Sequence, residues 1–108
     1  MNIYGLLKMG LDASNLRGEA ISQNIANINT PDYKRKVVTF EETLKADSKS
    51  APSISIEEDT SSAVRSDGNN VDLEVEKVNQ AANSLQFNAM VTLVNAKLSL
   101  TNSVIRGQ

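Results

Sequence analysis

The sequence predicts a mainly α-helical protein, with two long terminal helices that form an antiparallel, coiled-coil-like hairpin. Apolar residues recur at spacings of three and four near both ends of the 108-residue chain, as they do on helices that pack against helices. The stretch between the ends is rich in serine and too poor in apolar residues to form a core of its own. We therefore expect an N-terminal helical segment over residues 1–30, a polar middle over 31–70 and a C-terminal helical segment over 71–108.

The first helix is expected from about Asn2 to Asn29, where Pro31 disfavours a helical Thr30. Glycines at positions 5, 10 and 18 weaken this helix, each by up to about 1 kcal/mol relative to alanine. They are either tolerated or allow a neighbouring helix to approach closely. The residues expected to face helix partners are Leu6, Leu7, Leu11, Leu16, Ile21, Ile25 and Ile28.

A run of amides and a turn follow this helix. Asn24, Asn27 and Asn29 are expected to satisfy backbone groups where the helix ends, either within one subunit or at an interface. The segment from Thr30 through Pro31 to Tyr33 is typical of a turn, because proline presets φ. The basic residues 34–36 are interpreted as a solvated face, or else as a contact with acidic groups of a neighbouring subunit.

The middle segment carries three weaker signals. The Thr-x-x-Glu pattern beginning at Thr39 resembles a capping box, which predicts a short helix over residues 40–46. Alternation over residues 53–56 indicates a short strand, within a mobile excursion or a small β-hairpin. The acidic run 57–59 is interpreted as solvated, because the oxygen-ligand pattern of a calcium loop is missing.

The C-terminal helix is expected to follow a turn at Asp67-Gly68-Asn69-Asn70, with Asp72 as N-cap. Glu74 and Glu76 then lie in the first turn, where acids favour the helix dipole. The helix is expected to end near Arg106, before Gly107. The apolar residues expected to face helix partners are Val78, Leu85, Phe87, Val91, Val94, Leu98 and Ile105.

Composition excludes most other classes of function. The chain has no His, Cys or Trp, so imidazole bases, thiol nucleophiles and zinc-finger sites are absent. A net charge of −2 gives no electrostatic case for nucleic acid. No apolar stretch approaches the roughly 20 residues of a membrane span, and the N-terminus lacks the features of a cleaved signal peptide. We therefore expect no catalytic site, metal, cofactor or small-molecule substrate.

The two helices carry more apolar surface than one hairpin covers. A wide apolar face left on a lone subunit marks an interaction site. Self-association, or assembly with similar chains, is the expected resolution. A soluble helical adaptor or chaperone that binds a partner helix in a groove is the alternative from another class.

The segment from Ile21 to Lys34, with its Ile-Ala-Asn and Thr-Pro-x-Tyr elements, resembles the N-terminal signature of bacterial flagellar axial proteins. The segment Asp67-Gly-Asn-Asn-Val-Asp-Leu-Glu74 is similar to the motif that opens the C-terminal helix of proximal rod proteins of the FlgB type. The motif residues that carry the resemblance are Asn24, Asn27, Asn29, Thr30, Pro31, Tyr33, Asn70 and Asp72.

This resemblance implies a structural subunit of the flagellar basal-body rod, the drive shaft that crosses the periplasm. Its expected partners are other rod subunits and the adaptor at the MS ring, reached through the flagellar type III export apparatus without a cleaved signal. Its terminal helices are expected to order on assembly, when their apolar faces become buried.

Overall fold

A computed structural model of the chain describes residues 3–40, 53–61 and 65–107. The elements follow one another along the chain as helix α1 (Ile3–Ala26), strand β1 (Lys36–Thr39), strand β2 (Ser55–Glu58) and helix α2 (Leu73–Ile105). The expected fold class is confirmed. The predicted short helix over 40–46 lies outside the described residues, apart from Phe40, which forms a bend after β1.

The two helices run antiparallel. Tyr4 near the start of α1 bonds Thr101 near the end of α2, whereas Ser14 in the middle of α1 bonds Asn83 nearer the start of α2. The helices approach closely at Gly10, where a Cβ would lie 2.8 Å from Sδ of Met90, so a larger residue there would displace the Met90 side chain. The hairpin gives the molecule an elongated shape of 65 × 29 × 14 Å.

Helix α1 is shorter at its C-terminal end than predicted. The α-helix ends at Ala26, and residues 27–30 continue as hydrogen-bonded turns, in which the amide of Thr30 donates to the carbonyl of Asn27 at 3.0 Å. Helix α2 begins as predicted: the carboxylate of Asp72 accepts from the amides of Glu74 and Val75. Gly107, with φ of 72°, follows the helix in the left-handed conformation that commonly ends helices.

The middle segment contributes a two-stranded antiparallel ribbon. Lys36 pairs with Glu58 and Thr39 with Ser55. The second strand therefore begins two residues later than the alternation over 53–56 predicted. The strand β1 lies against α1, where Val38 and Phe40 join Ala13 and Ala20 in the small buried core.

A turn at residues 66–68 returns the chain to α2. Gly68 has φ of 84°, and a Cβ at this position would lie 2.1 Å from Oδ1 of Asp32. Only glycine satisfies both the backbone conformation and the contact, which accounts for the Asp67-Gly68 turn signal.

Candidate assembly surface and the polar clasp

Helix α2 has two apolar faces. Its inner face, directed at α1, repeats with heptad-like spacing and mixes polar with apolar side chains. Thr101 bonds α1 at this face, and Met90 lies against Gly10. The inner face consists of Glu76, Asn83, Phe87, Met90, Val94 and Thr101.

The second apolar face of α2 consists only of residues that are exposed to solvent, and we call it the outer stripe. Its large members are among the most exposed apolar side chains of the molecule, with Leu85 at 72% and Val104 at 70% relative exposure. The stripe runs the length of the helix at spacings of three and four. It consists of Val75, Val78, Ala82, Leu85, Ala89, Leu93, Ala96, Leu100 and Val104.

The residues predicted to face helix partners fall into three groups on the single chain. Those on α1 and in the turn after it are buried or half-buried: Ile21 is buried, and Leu6, Leu7, Leu11, Leu16, Ile25 and, in the turn, Ile28 are half-buried. On α2, Phe87, Val91 and Val94 are half-buried, whereas Val78, Leu85, Leu98 and Ile105 are exposed. Of these exposed four, Val78 and Leu85 belong to the outer stripe.

The base of the hairpin is held by polar side chains, which we call the polar clasp: Asn24, Tyr33, Arg35, Asp59, Asn69, Asn70 and Glu76. Asn24 is fully buried on α1 and bonds both backbone groups of Lys36, donating to its carbonyl at 3.0 Å and accepting from its amide at 2.8 Å. Asn24 thus binds the backbone of β1 rather than the end of its own helix.

Asn69 closes the turn after α1. Its fully buried amide donates to the carbonyls of Asn27, Ile28 and Thr30, at 2.9, 3.2 and 2.8 Å. It therefore adds a side-chain donor to three carbonyls of the turn that follows α1, and so ties the segment before α2 to this turn. Its neighbour Asn70 accepts from the amide of Arg35 at 2.8 Å and donates to the carbonyl of Asp59 at 2.9 Å.

Arg35 lies at the centre of the clasp. Its Nε donates to Oε1 of Glu76 at 2.7 Å, and its Nη1 donates to Oδ2 of Asp59 at 3.0 Å. Burial acts to lower the pKa of Arg35, but its bonds to these two carboxylates outweigh burial and raise the pKa above its ordinary value. Burial and the nearby charge of Glu76 likewise raise the pKa of Tyr33.

Two sequence-based interpretations are corrected here. The basic residues 34–36 are not a solvated face: Arg35 forms ion pairs within the chain, and Lys34 donates to the carbonyl of Gly68. Glu76 lies in the first turn of α2 as predicted, and it is also fully buried against Arg35. In the acidic run, Glu57 and Glu58 are exposed, but Asp59 is half-buried and paired. The helical periodicity of the sequence places Glu76 on the inner face. It does not reveal that Glu76 pairs with Arg35, which lies 41 residues earlier in the chain.

The other predicted motif residues lie around the same turn. Asn27 donates to the carbonyl of Gln23 at 2.8 Å and accepts from the hydroxyl of Thr30 at 3.1 Å. Tyr33 donates to Oδ1 of Asn24 at 3.2 Å. Asn29 and Pro31 are exposed, and Asp72 caps α2.

Sequence reasoning missed a buried polar pair between the helices. Oγ of Ser14 donates to Oδ1 of Asn83 at 2.9 Å, and Nδ2 of Asn83 donates to the carbonyl of Ser14 at 3.0 Å. The available signal was the spacing of Asn83, which lies seven residues after Glu76 and seven before Met90, on the same row as Phe87 and Val94. A polar residue at such a position commonly fixes the register of packed helices.

A groove of about 470 Å³ lies between α1, β1 and α2. Its walls combine Arg17, Arg35 and Lys36 with aliphatic and amide side chains, and none of the lining residues is an acid or a hydroxyl. The described part of the chain also contains no cluster of acidic side chains that could hold a metal ion. Within the same residues, no helix has the length and hydropathy of a membrane span.

Comparison with known proteins identifies the family. No protein-family model matches the chain. It is 30% identical over 117 aligned positions to the flagellar basal body rod protein FlgB of Bacillus subtilis, covering 94% of this chain and 91% of that protein. The FlgB proteins of Borrelia hermsii and Aeromonas hydrophila are 28% and 24% identical, covering 98% and 97% of this chain and 100% and 93% of their own lengths. The chain therefore belongs to the FlgB family of flagellar basal body rod proteins.

Proposed function

We propose that this chain is a structural subunit of the proximal rod that joins its neighbours through the outer stripe of α2. The observation that carries this proposal is that nine apolar residues along one face of a helix are all exposed. From Val75 to Val104 the stripe is roughly 44 Å long, at 1.5 Å per residue. Contiguous apolar surface of this extent is typical of a protein–protein interface.

Assembly would then proceed by coupled ordering and packing. The polar clasp anchors one end of the hairpin, whereas the distal ends of both helices carry exposed apolar residues, among them Ile3, Leu100 and Ile105. Burial of these residues against neighbouring subunits would offset the conformational entropy lost when the helix ends become ordered. A shaft built this way transmits torque through many packed side chains, and no bond is made or broken.

The proposed partners are further copies of the chain, the other rod subunits and the adaptor between the rod and the MS ring. The proposed site of action is the periplasm-spanning rod of the basal body, which the chain would reach through the flagellar export apparatus. The names of the relatives support a role in the basal body rod. The resemblance of the two terminal motifs implies the more specific assignment to the proximal rod and to these partners.

The substitution Leu85→Asp tests this function. Leu85 is 72% exposed on the single chain, so a carboxylate there leaves the monomer folded but puts a charge into any interface formed by the outer stripe. We expect swimming to fall to the level of a deletion strain, with the variant still exported and absent from purified basal bodies. Helical circular dichroism of the purified variant should equal that of the parent chain.

Asn88→Asp is the matched control, because Asn88 is exposed on the same helix but lies off the stripe. It adds the same carboxylate and should leave swimming unchanged. Normal motility of Leu85→Asp would contradict the assigned surface. A deletion strain that swims normally would instead favour a soluble adaptor over a rod subunit.

A further inference from the structure

The outer stripe of α2 reads almost identically in both directions. Its centre is Ala89, and residues of the same or similar size lie at equal or nearly equal distances on the two sides. These are Leu85 and Leu93 at four residues, Ala82 and Ala96 at seven, Val78 and Leu100 at eleven, and Val75 and Val104 at fourteen and fifteen. The inner face lacks this symmetry, since Glu76 and Asn83 are found on only one side of its middle.

We infer that two free copies of this chain pair through the outer stripe as antiparallel helices, with a two-fold axis at Ala89. A two-fold interface requires one surface to be complementary to itself. In this arrangement Ala89 faces its own equivalent, and Leu85 faces Leu93 of the second copy. The seven positions of the stripe from Val78 to Leu100 then each meet an apolar residue.

The direction of the side chains favours this packing. Helical side chains tilt toward the N-terminus of their own helix, so they cover the turn that precedes them. In an antiparallel pair, Leu85 therefore tilts toward the level of Ala82, where Ala96 of the second copy leaves room for it. Leu93 of the second copy tilts in the same way over Ala89. Large side chains thus pack onto small ones along the seam.

The charge distribution of α2 also suits a second copy. From Val78 to Ala96 the helix carries no charged residue, so two stripes meet without repulsion between like charges. At each end, the same register brings Arg106 to the level of Asp72 and Glu74 of the second copy. Opposite charges therefore lie at similar levels near both ends of the seam, and the acids lie at a helix N-terminus.

The size of the surface makes this pair weak. A stripe ~44 Å long and as wide as a helix covers on the order of 500 Å² per copy. A stable interface of standard size buries ~800 Å² per partner. The pair is therefore reversible and forms at high concentration. In the free chain, this dimer covers the face that is proposed for assembly. Because a closed two-fold dimer cannot add further subunits through the same face, it has to dissociate before assembly proceeds.

Disulfide cross-linking of the purified full chain tests this pairing, because the native sequence has no cysteine. Ala89→Cys places two thiols at the two-fold axis, and Asn95→Cys places a thiol on another exposed face of the same helix. We expect covalent dimers of Ala89→Cys to form about tenfold faster under mild oxidation, since a disulfide requires Cα atoms within ~7 Å. Equal rates for the two variants would overturn the inference.

The direction of pairing is tested with Leu85→Cys and Leu93→Cys. In the antiparallel pair, two copies of residue 85 lie ~12 Å apart along the axis, so either variant alone should cross-link slowly. An equal mixture of the two should rapidly form the mixed dimer. Rapid homodimers of Leu85→Cys alone would show a parallel pair and overturn the proposal. Since these measurements use purified protein, their outcome does not depend on the swimming assay for the proposed function.

Discussion

At the scale of single residues, the ion pair between Arg35 and Glu76 is the contact most sensitive to substitution. Glu76 is fully buried, and its Oε2 has no hydrogen-bond partner among the described residues. A buried carboxylate is tolerated only when a cation lies against it, and here Nε of Arg35 lies 2.7 Å from Oε1. The guanidinium of Arg35 bonds Asp59 as well as Glu76. A lysine at this position would bond two carboxylates less well, because it has a single ammonium group.

The substitution Arg35→Met should therefore destabilise the chain strongly. It removes the cation but leaves the buried carboxylate, so we expect a loss of about 3–5 kcal/mol in the free energy of unfolding. Urea unfolding followed by circular dichroism measures this loss. The double variant Arg35→Met/Glu76→Leu should recover most of the stability, because no buried charge remains. A double variant as unstable as the single one would contradict this account.

Asp59 makes the stability of the clasp dependent on pH. Hydrogen bonds from Ser61, and then the bond from Arg35, hold the pKa of Asp59 below its ordinary value. A lowered folded-state pKa contributes stability that is present above the unfolded value of ~3.9 and is lost as pH falls through the folded value. The contribution of Asp59 is therefore intact at neutral pH and disappears in acid below about pH 4.

Asp59→Asn should remove that contribution. We expect a loss of roughly 1–2 kcal/mol at pH 7, towards the low end of the ~1.5–3 kcal/mol of hydrogen bonds to charged groups because Asp59 is partly exposed to solvent, and a much smaller difference from the parent chain near pH 2. Urea midpoints across this pH range provide the measurement. Glu57→Gln, on the exposed face of β2, is the control and should leave the midpoints unchanged. A loss of the same size at both pH values would rule out the ionised form as the cause.

At the scale of the helices, the pair formed by Ser14 and Asn83 sets the register of the hairpin. Their side chains are buried on facing helices and are joined by two hydrogen bonds, at 2.9 and 3.0 Å. Sliding α2 by one turn would bury both polar side chains without partners, which costs about 1–3 kcal/mol for each unsatisfied group. The alternative registers of two apolar helices are disfavoured in this way.

A double-mutant cycle with Ser14→Ala and Asn83→Ala measures the coupling of these two residues. We expect each single variant to lose about 1–3 kcal/mol, because each leaves a buried group unpaired. The double variant should lose less than the sum of the two, with a coupling energy of ~0.5–3 kcal/mol. Ser22→Ala, on an exposed position of α1, provides a baseline. Strict additivity would show that the two side chains do not act together.

The helices and their limits were largely predictable because their signals are local. Asp72 was identifiable as an N-cap because it directly precedes a run with helical apolar periodicity. The turn at Asp67-Gly68 was identifiable from the dipeptide itself. The clasp was not predictable in the same way. The bond from Arg35 to Glu76 joins residues 41 apart, and the bonds from Asn69 to the end of α1 span about as many. Such pairings depend on the tertiary fold, which periodicity does not encode.

At the scale of the whole molecule, the sequence showed that α2 has more apolar surface than one partner covers, but not which row faces inward. Val78 and Leu85 have the same helical spacing as Phe87 and Val94, yet the first pair is exposed and the second half-buried. Ser14 and Gly10 on α1 decide the difference, because they admit Asn83 and Met90 and so set the rotation of α2. The outer stripe is the face left over once that rotation is set.

Stability should therefore fall along the hairpin from the clasp to the distal end. Near the distal end, Tyr4 bonds Thr101 between the helices, in an exposed setting. The side chains of Leu100, Val104 and Ile105 are 61, 70 and 76% exposed, so little apolar burial holds the last turns of α2. Segments with few buried contacts open at low free-energy cost.

Limited trypsin digestion distinguishes this gradient from simple side-chain exposure. Lys77 is exposed but lies beside the clasp, whereas Lys97 is half-buried near the distal end. Because cleavage requires local opening of the backbone, we expect the free chain to be cut after Lys97 before Lys77, despite the greater exposure of Lys77. In purified rods, cleavage after Lys97 should be strongly suppressed, since neighbouring subunits then cover the helix end. Equal rates at Lys97 in free and assembled protein would show that assembly does not order this part of the chain.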